Sequence, residues 1–280
     1  MSLSVATMPS RPIPPAPAPA RGAGFATASL TIAARAVRKF VRTPALIVGG
    51  TLSGVMFLLI FRYVFGGAIS HTGLLSYVDW VAPGFIMTSG LFGAMGAGAG
   101  NAEDLAQGLV DRLRSLPIPS SSIVVGRALA DTALVAEGLL VTTAVSFAVG
   151  FRIHDGVAPA LGAFGLCIVW AFGFCWLFLL LGFFADSAQA AQSLSFLVFP
   201  LTFVSSAYVP VSTMPGWMQA FANHQPITAM ADTARILAEG HAAAVGLGHP
   251  LGYYLPASLA WTAGLVVVCI PLAIWRLRRS

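Results

Sequence analysis

The sequence predicts an all-α integral membrane protein, built as a six-transmembrane-helix bundle. An interfacial helix precedes the first span, a cytoplasmic helix follows the second, and re-entrant helices lie on the outer side. Composition carries the class: of 280 residues, 57% are hydrophobic and 9% charged, against roughly 25% charged in a soluble domain. Length carries the spans. Residues 80–102, 156–185, 187–231 and 240–275 hold no Asp, Glu, Lys or Arg, and about 20 apolar residues cross a bilayer as a helix. Charge asymmetry carries the orientation, as set out below.

Residues 1–24 read as a disordered cytoplasmic tail, because Pro9, Pro12, Pro14, Pro15, Pro17 and Pro19 interrupt it and little apolar surface offsets the entropy of ordering. A signal peptide would place its apolar stretch directly after a few basic residues, whereas the first long apolar run here starts near Ala45. The remainder, 25–280, is expected to form one membrane domain. Residues 25–43 plot as an amphipathic helix. Leu30, Ala33, Ala34, Val37 and Val41 share one face, and Arg35, Arg38, Lys39 and Arg42 another, which suits an interface with anionic lipid.

Spans are expected near 45–65, 81–101, 127–150, 158–184, 191–209 and 254–275. Arg62 sits near the end of the first, within snorkelling reach of the interface. Gly96 and Gly100 in the second form a G-x-x-x-G pair that permits close helix approach. Asp131 and Glu137 fall within the third. Arg127 and Asp131 are four apart and suit a local ion pair, while Glu137 lies about 9 Å deeper. Ionisable groups at such depth are functional candidates, as a partner across helices or part of a proton or cation path. Pro200 interrupts the fifth. Cys167, Cys175 and Cys269 fall inside spans and read as small buried hydrophobes.

With both termini cytoplasmic, twelve Lys and Arg residues fall inside, against Arg62, Arg152 and Arg235 outside, as the positive-inside rule requires. The same asymmetry accounts for the net charge of +5, so no nucleic-acid partner is inferred from it.

Residues 101–116 are expected to form a separate amphipathic helix on the cytoplasmic side. Asn101 would cap it, and Glu103 and Asp104 would complement the dipole in its first turn. Leu105, Leu109, Leu113 and Leu116 make an apolar stripe, and Gln107, Asp111, Arg112 and Arg114 an opposite polar face; Pro117 and Pro119 end it. Such a helix needs a surface to dock on. On the outer side, Pro210, Pro215 and Pro226 divide 210–250 into short helices near 216–223 and 227–239. Thirteen residues rise about 20 Å, short of the roughly 30 Å hydrocarbon core, so a pair dipping into the outer leaflet is expected.

Catalytic chemistry is hard to find. Lys39 is the sole lysine and no glycine-rich loop precedes it, so the chain lacks the G-x-x-x-x-G-K-[ST] phosphate cradle. No nucleotide or other cofactor is expected on this chain. The five histidines, all in expected outer loops, show no H-x-x-x-H or H-E-x-x-H spacing, so no metal site is expected. No catalytic residue can be assigned.

The layout resembles the type-2 ABC transporter permeases, in particular the daunorubicin-resistance type of exporter permease. The carrying features are the interfacial helix, Pro83-Gly84 opening the second span, and the stretch GLVDRLRSLPIPSSSIVVGRALAD from Gly108 to Asp131. Gly216-Trp217 and His224-Gln225-Pro226-Ile227, followed by the Asp232–Gly240 helix, match the outer re-entrant region. The resemblance implies a bacterial plasma-membrane subunit that moves an amphipathic drug or lipid-like molecule outward. ATP and magnesium would bind a separate ABC ATPase subunit, and a second permease, identical or homologous, would complete the transporter. Residues 101–116 would be the coupling helix docked on the ATPase. Two alternatives stay open: an exporter of glycan or lipid-linked polymer with the same architecture, and a secondary transporter. The latter would want more buried ionisable residues and an internal repeat.

Overall fold

The computed structural model describes residues 23–42, 52, 54–65 and 75–279. Most of the expected disordered tail, much of the first expected span and the connection after it lie outside these residues. Among the described residues four helices are long and apolar enough to cross a membrane: α3 (Tyr77–Ala106), α5 (Ser121–Ala148), α6 (Val157–Gly182) and α12 (Leu251–Arg279). The shorter α2 (Gly54–Val64) is apolar too, and its end winds as a π-helical turn over Phe61–Phe65.

The central element is α3, which packs against α5, α6 and further helices introduced below. Ser76 caps it, accepting from the Asp79 amide and donating to Asp79 Oδ2 at 2.6 Å. Small residues let its neighbours come close. A methyl group on Gly98 would lie 2.7 Å from the Phe178 carbonyl oxygen, and one on Gly182 would overlap the Gly98 carbonyl. The tight α3–α6 crossing therefore runs through Gly98 and Gly182. The expected pair divides otherwise: Gly96 faces open space, and Gly100 lies under the Arg127 guanidinium. Near the other end, Gly84 sits so close to Ala207 that any side chain would strike the Ala207 carbonyl.

Large apolar residues stay exposed on the outside of the bundle, including Leu140, Leu161, Val267 and Val268. Water would penalise that surface and lipid does not. All three cysteines are buried thiols. Arg62 donates to the Val149 carbonyl at the end of α5.

The fifth expected span is interrupted. The chain forms α7 (Ala188–Phe196) and α8 (Phe199–Phe203), joined by tightened bonds from Leu197 N to Leu194 O and Val198 N to Ser195 O. Pro200 has no amide to offer, so the α-helical ladder cannot run through it. Helical winding over 188–204 covers about 25 Å, less than one hydrocarbon thickness. Beyond a 3₁₀ turn at Val211–Thr213 come α9 (Gly216–Ala222), α10 (Pro226–Glu239) and α11 (His241–Leu247). The boundaries of α9 and α10 match the two short helices expected. Gln225 donates to Leu201 O and Val204 O, serving carbonyls freed at the end of α8, and Pro226 opens α10. While α7 packs on α3 and α6, α10 is buried among α3, α6 and α12.

The first helix, α1 (Phe25–Val41), lies along α5. Its packed face differs from the one expected. Ala28, Ser29 and Ala33 are buried, with Ile32 and the Ser29 carbonyl against Gly126, whereas Leu30 and Val41 are 63% exposed. Small residues face protein and large ones face outward, as an apolar solvent on that side allows.

Candidate functional site

The segment expected to form one separate helix over 101–116 is divided, and the division sets up the site. Residues 101–106 continue the central helix α3 without a break. Gly108, at φ +65°, ends that run and starts α4 (Leu109–Arg114); left-handed backbone of this kind favours glycine. Asn101 is no cap. It is buried within α3, and its side-chain amide donates to the Leu179 carbonyl of α6 at 3.2 Å. Glu103 and Asp104 consequently occupy the last turn of a helix, where the carbonyl end of the dipole disfavours anions.

Arg127, from the first part of α5, compensates. Its Nε donates to Asp131 Oδ2 at 2.9 Å and Oδ1 at 3.1 Å, and a second nitrogen reaches Asp104 and the Gly100 carbonyl. One guanidinium, steadied by Asp131 on its own helix, thus joins α5 to the end of α3 through the Asp104 carboxylate and the Gly100 carbonyl. Planar, multi-donor geometry suits Arg for this and would not suit Lys. Gly100 lacks a side chain because that guanidinium occupies the space.

Beyond this joint the polar groups are exposed. Gln107 donates to Glu103 at 2.8 Å on the surface. Asp111 and Arg114 approach to 3.7 Å, with the Asp111 side chain 76% exposed, and Arg112 is exposed as well. Val110 is the buried residue of α4, Leu105, Leu109 and Leu113 are half-buried, and Leu116 is exposed. The leucine stripe therefore gives only a partial anchor.

A cavity of about 540 Å³ opens beside the joint, between α1, α3, α4 and α5. Pockets for small molecules fall in the range of roughly 300–1,000 Å³. Its wall mixes apolar groups such as Ile32 and Phe92 with Arg35, Lys39, Arg127 and Glu137. Arg35 and Lys39 are exposed and line this space as well. Glu137 lines it too, at half-burial. The wall is therefore apolar over much of its area, with charged groups at its polar part.

Sequence reasoning missed a second cluster, at the opposite end of α3. Arg235 in α10 is fully buried. It donates to the Trp80 carbonyl at 2.7 Å, the Ser206 carbonyl at 2.9 Å, and Asp232, and its guanidinium lies 4.0 Å from the Trp80 ring centre. Ser206 in turn donates to Asp232 at 2.6 Å. The expected placement of Arg235 in a short outer helix gave no sign of this; its partner Trp80 is 155 positions away.

The ABC-2 type transporter family profile matches residues 27–238. The daunorubicin resistance ABC transporter permease protein DrrB1 of Streptomyces coeruleorubidus is 32% identical over 94% of this chain and 89% of its own. The probable doxorubicin resistance ABC transporter permease protein DrrC of Mycobacterium tuberculosis (strain ATCC 25618 / H37Rv) is 25% identical over 91% and 90%. The inner membrane transport permease YadH of Escherichia coli (strain K12) is 26% identical over 71% and 78%. With the helices and joints described above, this agreement along most of its length establishes that the chain belongs to the ABC-2 type transporter family, as a membrane permease.

Proposed function

We propose that this chain is the membrane-spanning subunit of an exporter that moves an amphipathic drug or lipid-like molecule outward, with ATP hydrolysis on a separate ABC ATPase. The observation that carries the reading is α4: a short, charged helix, with Asp111 and Arg112 exposed, hung from the central helix by one left-handed glycine. Force applied to α4 passes through Gly108 into α3, and through Asp104–Arg127 into α5, so the cavity between them changes shape. The drug-resistance relatives support the substrate class, and the mixed apolar and charged wall agrees with it.

In this reading residue 25 to the C-terminus is one membrane domain with six crossings. The interrupted α7–α8 forms the fifth, and α2 belongs to the first. Both termini and α4 face the cytoplasm, and α9 and α10 dip from the outer side. A second permease copy or homologue pairs with this one. The test is reversal of Asp111 and Arg114 together (Asp111→Arg, Arg114→Asp) in the co-expressed transporter. ATPase recovery with the permease, and transport, should both fall while expression and elution volume stay normal; unchanged recovery and transport would remove α4 from the coupling role.

A further inference from the structure

We propose that Asp79, His154 and Glu239 form a binding site for a divalent transition-metal cation of the zinc class. Three separate elements deliver them: the first turn of α3, the connection between α5 and α6, and the last residue of α10. One ligand atom from each lies within 4.8 Å of the other two. Ligand atoms on a tetrahedral zinc ion sit about 3.3 Å apart, given bonds of about 2.0–2.1 Å to nitrogen and oxygen. Closing from 4.8 Å to that spacing takes about 1.5 Å of movement between ligand atoms. The inference is independent of the exporter reading, since it uses neither the cavity nor α4.

Glu239 is the reason to expect a ligand rather than a fortuitous cluster. Its side chain is fully buried. Oε2 lies 2.6 Å from His154 Nδ1, a contact that needs one proton between them, while Oε1 has no hydrogen-bond partner among the described residues. A buried carboxylate oxygen without a partner is costly. Its position adds to the cost, because it ends α10, where helix carbonyls already concentrate negative potential. The nearby cations are committed elsewhere. Arg152 donates its guanidinium to the Phe147 and Phe151 carbonyls, and Arg235 is held by Asp232, Trp80 and Ser206. A bound cation would supply the missing charge and replace the proton between His154 and Glu239.

The frame around the site is already set. Asp79 Oδ2 accepts from Ser76 and Oδ1 from the Arg152 amide at 3.1 Å, and each oxygen keeps a lone pair for coordination. The amides of His154 and Asp155 both donate to the Ala238 carbonyl, which fixes the loop beside Glu239. His154 is half-exposed, so an ion can enter from solvent. Donor chemistry selects the metal. One imidazole with two carboxylates and an open position suits zinc; magnesium and calcium prefer all-oxygen shells. No local sequence spacing announces this site, since its residues stand 75 and 85 positions apart.

The test uses the full chain without a polyhistidine tag, in lipid nanodiscs, stripped with a chelator and titrated with zinc chloride by calorimetry. One zinc ion per chain is expected. His154→Ala and Glu239→Gln should each weaken binding at least about tenfold, since even outer-shell changes cost that much. His249→Ala, outside the cluster, should bind as the parent does. Gel filtration and a melting curve of the metal-free proteins verify folding; His154→Ala removes a half-exposed group and keeps the parent's profile. Absence of stoichiometric zinc uptake by the parent, or parent-like affinity in both His154→Ala and Glu239→Gln, would overturn the proposal.

Discussion

At the Trp80 end of the bundle, Arg235 and Asp232 are buried and tied to two backbone carbonyls, a serine hydroxyl and an indole face. At the Arg127 end, the guanidinium is one-fifth exposed, its two carboxylates sit on different helices, and a cavity opens alongside. Both ends use one arginine to fasten α3 to a later helix. They differ in how many alternative arrangements the fastening permits. A buried charge with fixed partners has nowhere else to go, because any rearrangement strands it in a low-dielectric interior. At the other end Arg127 and Asp104 are about one-fifth exposed while Asp131 is buried, so water can stand in for part of what a rearrangement breaks. Under the proposed function, anchoring belongs to the Arg235 end and movement to the Arg127 end.

The contrast breaks most visibly if Arg235 is removed. Arg235→Ala leaves Asp232 buried without its cation, a loss of about 3–5 kcal/mol by the measure of other buried pairs. The expected outcome is little or no folded protein by gel filtration in detergent. Recovery at parental level would mean the cluster does not anchor α10. Next in size is the α3–α6 crossing. Gly98→Ala forces a methyl group against Phe178 O and should cost about 1–3 kcal/mol, read as a lower melting temperature. Gly96→Ala meets nothing within 4 Å and should stay within about 0.5 kcal/mol of the parent. Equal effects at the two glycines would refute the crossing as described.

Much of this fold is legible in the sequence because apolar length and short-range spacing are legible. The charge-free stretches mark α3 and α6 to within a few residues, the expected span 254–275 does the same for α12, and Arg127–Asp131 follows from a separation of four. The joint itself is hidden. Asp104 meets Arg127 across 23 positions, and no periodicity reports such a pair. Asn101 reads as a cap because an Asn before acidic residues is a common helix start; burial against Leu179 overrides that local preference and lets α3 run on to Ala106. For α1, amphipathicity alone does not separate an apolar face turned to protein from one turned to lipid. The small residues at Ala28, Ser29 and Ala33, set against Gly126, make that distinction.

Arg127→Ala should sharpen the comparison from the mobile end. Asp131 and Asp104 lose their shared donor, and because Arg127 and Asp104 are about one-fifth exposed the cost should fall below the roughly 3–5 kcal/mol of the fully buried pair at Arg235. The fold should survive while ATPase stimulation by substrate is lost. A variant that unfolds as Arg235→Ala does would erase the distinction between the two ends. A small stability effect belongs to α4. Asp111 is 76% exposed and Arg114 25%, so reversal of both should cost no more than about 1 kcal/mol by the melting temperature, although transport falls.

Hydrolysis of ATP by the purified chain, measured alone and again with the co-expressed ABC ATPase in the same nanodiscs, tests the central claim most directly. The account predicts no turnover by the chain alone, and turnover in the complex that rises with an amphipathic substrate and loses that rise in the Asp111→Arg, Arg114→Asp variant. Turnover by the chain alone, after every other polypeptide is removed, or a substrate response untouched by the double reversal, would contradict it.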